Sequence, residues 1–332
     1  MEYRFVGKTG VKVSVLCFGT MSSEYAPDES ACAALLHRCL EIGINFFDTA
    51  NVYVDGRSEE ILGRLMAGCR DELLIASKVG FPTGEDVNAR GLSRRHIRAA
   101  LEASLQRLGT DYLDFYFLHT FDPRTPIEET LRALDDLVRQ GKVLYLAVSN
   151  WAAWQIALAL GISAREELAR FECVQPMYNL VKRQAEVEIL PLAQATQLGV
   201  VPYSPLGAGL LTGKYTTVRR PGRGRLVDNQ MYAKRYGDPV YYEVAERFAA
   251  HAREHGIHPA TLGIAWVMSH PAVTAPIIGA RNLQQLETSL AALDVNMTPE
   301  WRAEISTLSI EPPPATDRSE ERAGIVYRAQ AA

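Results

Sequence analysis

Eight short apolar runs recur along the chain, at residues 15–19, 45–49, 73–78, 113–119, 144–149, 173–178, 200–203 and 275–279. Each closes on glycine or on a residue with a polar atom. Runs this short, without apolar–polar alternation, predict strands of a parallel sheet covered on both faces, for which helices are the usual connectors. Amphipathic segments that predict helices lie between them, at residues 30–42, 58–67, 93–108, 127–140, 151–160, 186–198, 242–254 and 260–269. Boundary signals support several: Asp28 precedes the first, Ser93 and Gly109 bracket the third, and Pro126 and Gly141 bracket the fourth. Strand and helix alternating without a composition break predict an α/β chain folded as a single (β/α)8 TIM barrel rather than two domains.

Three segments fall outside this rhythm. Residues 3–5 and 11–14 flank Lys8-Thr9-Gly10 and predict an N-terminal β-hairpin that plugs the bottom of the barrel. Residues 215–241 form a long Gly/Arg/Tyr-rich loop after strand seven, where barrel enzymes place function. Residues 311–332 read as a Pro-rich, then charged, C-terminal tail, which leaves residues 1–310 as the barrel.

Composition narrows the partners. Lys and Arg number 35 against 39 Asp and Glu in 332 residues, a net charge of −4, which excludes a polybasic, nucleic-acid-coating chain. The five cysteines are odd in number and form no C-x-x-C pair, so neither a disulfide framework nor a zinc ribbon is expected. No run approaches the ~20 apolar residues of a membrane span, and residues 1–10 hold no signal-peptide core. A cytoplasmic chain with no membrane or nucleic-acid partner is expected. Its oligomeric state is not readable.

In a barrel, the C-terminal strand ends line the mouth. Those positions hold Thr20, Asp48 with Tyr53 beyond it, Lys78, His119, Ser149-Asn150, Gln175, Tyr203-Ser204 and Gly279-Ala280-Arg281. A carboxylate and an ammonium closing two apolar strands are natural partners, and either one alone fits a structural ion pair equally well. Tyr53 changes the balance, because a phenol of pKa about 10 becomes a usable acid at neutral pH only beside a cation such as Lys78. His119 adds a donor for a substrate oxygen. The set suits proton delivery to a carbonyl oxygen as hydride reaches its carbon, and a cofactor must supply that hydride.

A basic stretch of Lys214, Arg219, Arg220, Arg223, Arg225, Lys234 and Arg235 stands beside this rim, as a phosphate site or as a solvated loop. Met21, Tyr25, Val52, Val54, Trp151, Tyr232 and Tyr236 are candidate pocket walls. Two motifs are set aside. Residues 207–214 lack the first glycine and the final Ser or Thr of a phosphate loop. His251, His255 and His258 lack a carboxylate-bearing cavity, so no metal is expected.

Asn45-Phe46-Phe47-Asp48-Thr49-Ala50 with Tyr53, Ser58-Glu59-Glu60-Ile61-Leu62-Gly63, Ser77-Lys78, Asp111 to Asp114 with His119, Ser149-Asn150, Gln175 to Asn179, Tyr203 to Gly207 and Gly279-Ala280-Arg281 together resemble the aldo-keto reductase superfamily, over residues 5–293. The resemblance implies a TIM barrel that reduces a small-molecule aldehyde or ketone to an alcohol with NADPH, or less readily NADH. It implies Tyr53 as general acid, Lys78 as the group lowering its pKa, Asp48 as partner of Lys78, and His119 as the residue orienting the carbonyl. It further implies a cofactor site of Thr20, Met21, Asp48, Ser149, Asn150, Gln175, Tyr203, Ser204, Pro205, Leu206, Gly207, Leu210, Lys214, Arg225, Gly279, Ala280, Arg281 and Gln285. The family usually has Glu and Asn three and four residues after that glutamine. Here they are Thr288 and Ser289, which leaves the adenine contacts and the choice between NADPH and NADH open. A nucleotide-binding scaffold similar to potassium-channel β subunits, and a barrel lyase or isomerase, are the alternatives.

Overall fold

The structure, a computed structural model, describes residues 1–21 and 28–320. Strands β1 (Tyr3–Phe5) and β2 (Lys12–Ser14) pair antiparallel as the expected hairpin. Eight parallel strands follow: β3 (Cys17–Gly19), β4 (Phe46–Asp48), β5 (Leu74–Val79), β6 (Leu113–Leu118), β7 (Val143–Ser149), β8 (Phe171–Gln175), β9 (Gly199–Val200) and β10 (Ile277–Ile278). β3 to β9 bond in chain order and β10 returns beside β3. The amides of Thr274 and Ile277 meet the carbonyls of Val200 and Pro202 at 2.8 and 2.9 Å and close the ring. This is the expected (β/α)8 TIM barrel.

Helices α1 (Glu29–Glu41), α2 (Arg57–Leu65), α3 (Arg94–Leu108), α4 (Ile127–Arg139), α5 (Ala153–Glu166) and α6 (Ile189–Thr196) each follow one strand. The boundary signals work as their chemistry requires. Asp28 accepts from the Ala31 amide at 2.9 Å, Ser93 from the His96 amide at 3.3 Å, and Gly109 ends α3 with φ +63°.

The last quarter of the barrel departs from simple alternation. Four helices lie between β9 and β10: α7 (Arg225–Asp228), α8 (Gln230–Arg235), α9 (Pro239–Glu254) and α10 (Pro259–Met268). The segment expected as loop therefore carries two short helices. Two of the expected helices sit between the same strands, and the eighth unit is completed by α11 (Leu283–Leu290), followed by α12 (Pro299–Thr307). Of the tail, residues 321–332 lie outside the described residues, as does Tyr25.

The barrel interior is a layer of Cys17, Phe46, Ala76, Phe115, Phe117, Ala147, Cys173, Val201 and Ala275, closed from below by Val6 and Val13 of the hairpin. That floor is tight: a Cβ on Gly199 would lie 2.4 Å from Val6 Cγ1. Strand side chains repeat every second residue. Two positions above this layer stand Asp48, Lys78, His119, Ser149, Gln175 and Tyr203, so the apolar floor dictates a polar ring at the mouth.

Two of the three histidines set aside as a metal cluster have structural partners. His258 caps α10 by accepting from the Ala260 amide at 3.1 Å, and His251 Nε2 accepts from Trp301 Nε1 at 3.0 Å. Among the described residues, no helix is long and apolar enough to cross a membrane.

Candidate active site

The polar ring is one connected chain of hydrogen bonds. Lys78 at the end of β5 is 0% exposed, and its ammonium donates to Asp48 Oδ1 at 2.5 Å, to the Thr49 carbonyl at 2.7 Å and to Tyr53 Oη at 3.1 Å. Gln175 Nε2 donates to the second Asp48 oxygen at 2.9 Å, so both carboxylate oxygens are held. Ser149 Oγ donates to the Gln175 carbonyl at 3.0 Å and accepts from Asn150 Nδ2 at 3.1 Å. The same Asn150 amide reaches the His119 carbonyl at 2.9 Å, while its oxygen accepts from Tyr203 Oη at 2.7 Å. Asn150 and Ser204 take left-handed φ values of +59° and +57°, the kind of uncommon backbone that collects at functional sites.

The electrostatics follow from burial and proximity. Burial pushes the Tyr53 phenol up, and the Lys78 ammonium opposes it without fully cancelling it. The lowering expected from Lys78 is thus present but smaller than the burial it works against, and the phenol keeps its proton at neutral pH. Burial would lower Lys78, but Asp48 and Tyr53 together carry it above its ordinary value. Burial, then the nearby Lys78, hold His119 well below the usual histidine range, so the ring is neutral. Its Nδ1 is buried with no hydrogen-bond partner among the described residues.

The walls differ from expectation. Trp151 is buried, packed edge-on against Phe121 and Phe171 at 5.0 and 5.6 Å, and so lies behind the mouth. Tyr236 is also buried, with its hydroxyl accepting from Asn179 Nδ2 at 3.2 Å. Tyr232 of α8 does approach the mouth, its hydroxyl 3.8 Å from Met21 Sδ. Sequence reasoning missed Phe81, whose ring meets His119 edge-on at 4.6 Å and is 38% exposed, and Trp154, 62% exposed beside Phe121. The available signal for Phe81 was an aromatic side chain directly after Gly80, the residue that follows the Lys78 strand. Val52 and Val54 flank Tyr53 in its loop. Thr20 accepts from Ser58 Oγ at 2.7 Å and anchors the start of α2.

The basic rim is narrower than its sequence suggests. Arg219 bonds the Gly213 carbonyl at 3.3 Å, Arg220 lies 3.6 Å over the Tyr242 ring, and Arg235 lies 5.3 Å over Tyr232. Lys214, Arg225 and Arg281 do converge. Lys214 is exposed as a residue, yet its ammonium is pushed below the lysine range, first by burial and then by Arg281 and Arg225. It lies between Gly209 and Gly224, where an added Cβ would come within 3.6 and 3.8 Å of it. The loop that presents it, residues 207–212, turns through left-handed Gly207, Ala208 and Gly209. Pro205, Leu210 and Ala280 are buried beneath this rim, Leu206 is half-buried and Gly279 is exposed. Gln285 accepts from the Arg281 amide at 3.1 Å. A glycine cradle with three cations fits the phosphates of a dinucleotide. Thr288 and Ser289 turn their hydroxyls onto their own helix, to Gln284 and Gln285 carbonyls at 2.9 and 3.1 Å.

Comparison with known proteins gives a consistent result. The family model described as "Aldo/keto reductase family" matches residues 15–310. An uncharacterized oxidoreductase, YrpG, from Bacillus subtilis is 36% identical, over 90% of this chain and 93% of its own. A probable voltage-gated potassium channel subunit beta from Arabidopsis thaliana is 38% identical, over 89% of this chain and 92% of its own. Versiconal hemiacetal acetate reductase from Aspergillus parasiticus is 31% identical, over 90% of this chain and 94% of its own.

Proposed function

The chain belongs to the aldo/keto reductase family, and from that premise we propose that it is an NADP-dependent oxidoreductase that reduces an aldehyde or ketone to an alcohol. The observation that carries the reading is the buried Asp48–Lys78–Tyr53 line, with contacts of 2.5 and 3.1 Å, facing a neutral His119. The chemistry that NADPH would supply, when bound, is a hydride for the carbonyl carbon. Tyr53 keeps its proton at neutral pH and delivers it to the carbonyl oxygen. Lys78 stabilises the phenolate left behind, and Asp48 holds Lys78 charged and aimed. The neutral imidazole of His119 can donate an N–H to the same oxygen without competing as an acid.

Ser149, Asn150 and Gln175 would orient the nicotinamide amide and Tyr203 would lie against its ring, with Thr20, Met21 and Asp48 alongside. Ser204, Pro205, Leu206, Gly207, Leu210 and Lys214 would follow the pyrophosphate. Arg225, Gly279, Ala280, Arg281 and Gln285 would take the 2′-phosphate and adenine. In this reading residues 1–310 act as one catalytic unit and residues 311–332 as a tail. Five free thiols fit the reducing cytoplasm.

The test is NADPH oxidation measured over aldehydes, α-dicarbonyls, steroids and keto sugars, repeated with NADH. Turnover with at least one class and faster use of NADPH supports the proposal. Tight NADPH binding without turnover on any class would favour a nucleotide-binding regulatory scaffold instead.

A further inference from the structure

A buried carboxylate stands next to this site and has no part in the chemistry above. Glu59, in the first turn of α2, is 0% exposed. Its Oε1 accepts from Ser77 Oγ at 2.5 Å, and Ser77 is the chain neighbour of Lys78. Its Oε2 accepts from Arg107 Nε of α3 at 2.7 Å, while Arg107 Nη2 donates to Ser104 Oγ at 3.3 Å. Burying such a charge is costly even when paired, and an apolar pair of equal volume would often serve stability as well.

The turn carrying Tyr53 supplies the complementary observation. Tyr53 is followed by Val54, Asp55 and Gly56 with φ of +51°, +53° and +90°. Three successive left-handed residues, one of them β-branched, persist only where the surroundings over-determine them. The constraint is visible, because a Cβ on Gly56 would lie 2.9 Å from Arg107 Cδ and Nε. The arm of Arg107 thus lies flush against the turn, while its head group holds Glu59.

We infer that Arg107, Glu59 and Ser77 form a brace that sets the distance between Tyr53 and Lys78, which makes Arg107 and Glu59 positioning residues for the proton donor. One end of the brace bears on the turn that carries Tyr53, and the other is bonded to the residue beside Lys78. The inference rests on the role proposed for Tyr53, and its test separates the two.

The experiment compares wild type with Arg107→Met, Arg107→Lys and the double variant E59Q/R107M. A positioning role predicts that Arg107→Met lowers kcat about tenfold or more, with carbonyl KM and NADPH Kd held within about twofold, since misplacement alone costs rate. The alkaline limb of its kcat–pH profile moves to higher pH, as the phenol loses part of the Lys78 influence, and Arg107→Lys recovers most of the loss. Where Arg107→Met fails to fold, the double variant, which leaves no unpaired charge, carries the same expectations. A folded variant with unchanged kcat and pH profile overturns the brace. Absence of turnover in wild type sinks the reductase reading and leaves the brace to amide exchange. E59Q/R107M must then speed exchange of residues 53–56 about tenfold relative to the rest of the barrel, and equal rates overturn it.

Discussion

The two ends of the mouth treat charge in opposite ways. At the acid end, Lys78, Asp48 and Tyr53 compensate one another inside the barrel, and each acceptor of the Lys78 ammonium is within 3.1 Å. At the rim, Lys214 is pushed below its ordinary value first by burial and then by two charges of its own sign, Arg281 and Arg225. A compensated cluster holds a proton in place and needs nothing from outside. A site that gathers like charges suits an anionic ligand. In the proposed reading the first cluster serves the chemistry and the second the cofactor, in a protein whose net charge of −4 conceals both.

If the acid end is self-compensating, Lys78→Met should be the most damaging change at the mouth. It leaves Asp48 buried without its cation, which costs about 3–5 kcal/mol of stability, and turnover falls on the order of 10²–10⁴-fold. The double change D48N/K78M should recover much of the melting temperature and none of the turnover; recovery of both would mean the pair is structural only. At the rim, Arg281→Met should weaken NADPH binding about tenfold to a hundredfold, the worth of a hydrogen bond to a charged group, with kcat at saturating cofactor unchanged. Titration of intrinsic fluorescence with NADPH and NADH would measure it, and an equal loss for both dinucleotides would move Arg281 away from the 2′-phosphate.

The neutral His119 gives a smaller signal. Its folded pKa lies well below 6.5, so as pH falls through 6.5 the unfolded chain takes up a proton that the folded chain refuses. Stability should therefore drop on acidification, by about 1.4 kcal/mol per unit once below that pH. Denaturant curves at pH 7.5 and 5.5 should show His119→Asn losing less than wild type. Smallest is the alkaline behaviour of Lys214. An anion restores its charge, so NADPH binding just below the ordinary lysine value of ~10.4 should take up a proton. Calorimetry in buffers of different ionisation enthalpy would detect that uptake, and Lys214→Met should abolish it.

The barrel and its acid end were readable because period-two alternation links them: once Phe46, Ala76 and Phe117 are inside, Asp48, Lys78 and His119 follow. The rim was readable in composition but not in geometry. Seven basic residues stand between 214 and 235, yet the charges that bear on Lys214 are Arg225 from that stretch and Arg281 from beyond it, a grouping that sequence order does not reveal. Helices α7 and α8 span four and six residues, too short for a helical period to register. For α12 a signal existed, Thr298 capping with Pro299 at the first position. Trp151, just past the end of β7, and Tyr236, just past α8, are buried rather than walls, because sequence position alone does not say which way a large ring packs. Phe81 was missed for the same reason.

In the proposed mechanism Tyr53 donates the proton and does nothing for the cofactor. Tyr53→Phe measured for both NADPH affinity and single-turnover carbonyl reduction tests it most directly. The expected result is an unchanged dissociation constant with reduction lowered by on the order of 10²–10⁴-fold. A variant that retains most of its turnover would contradict it.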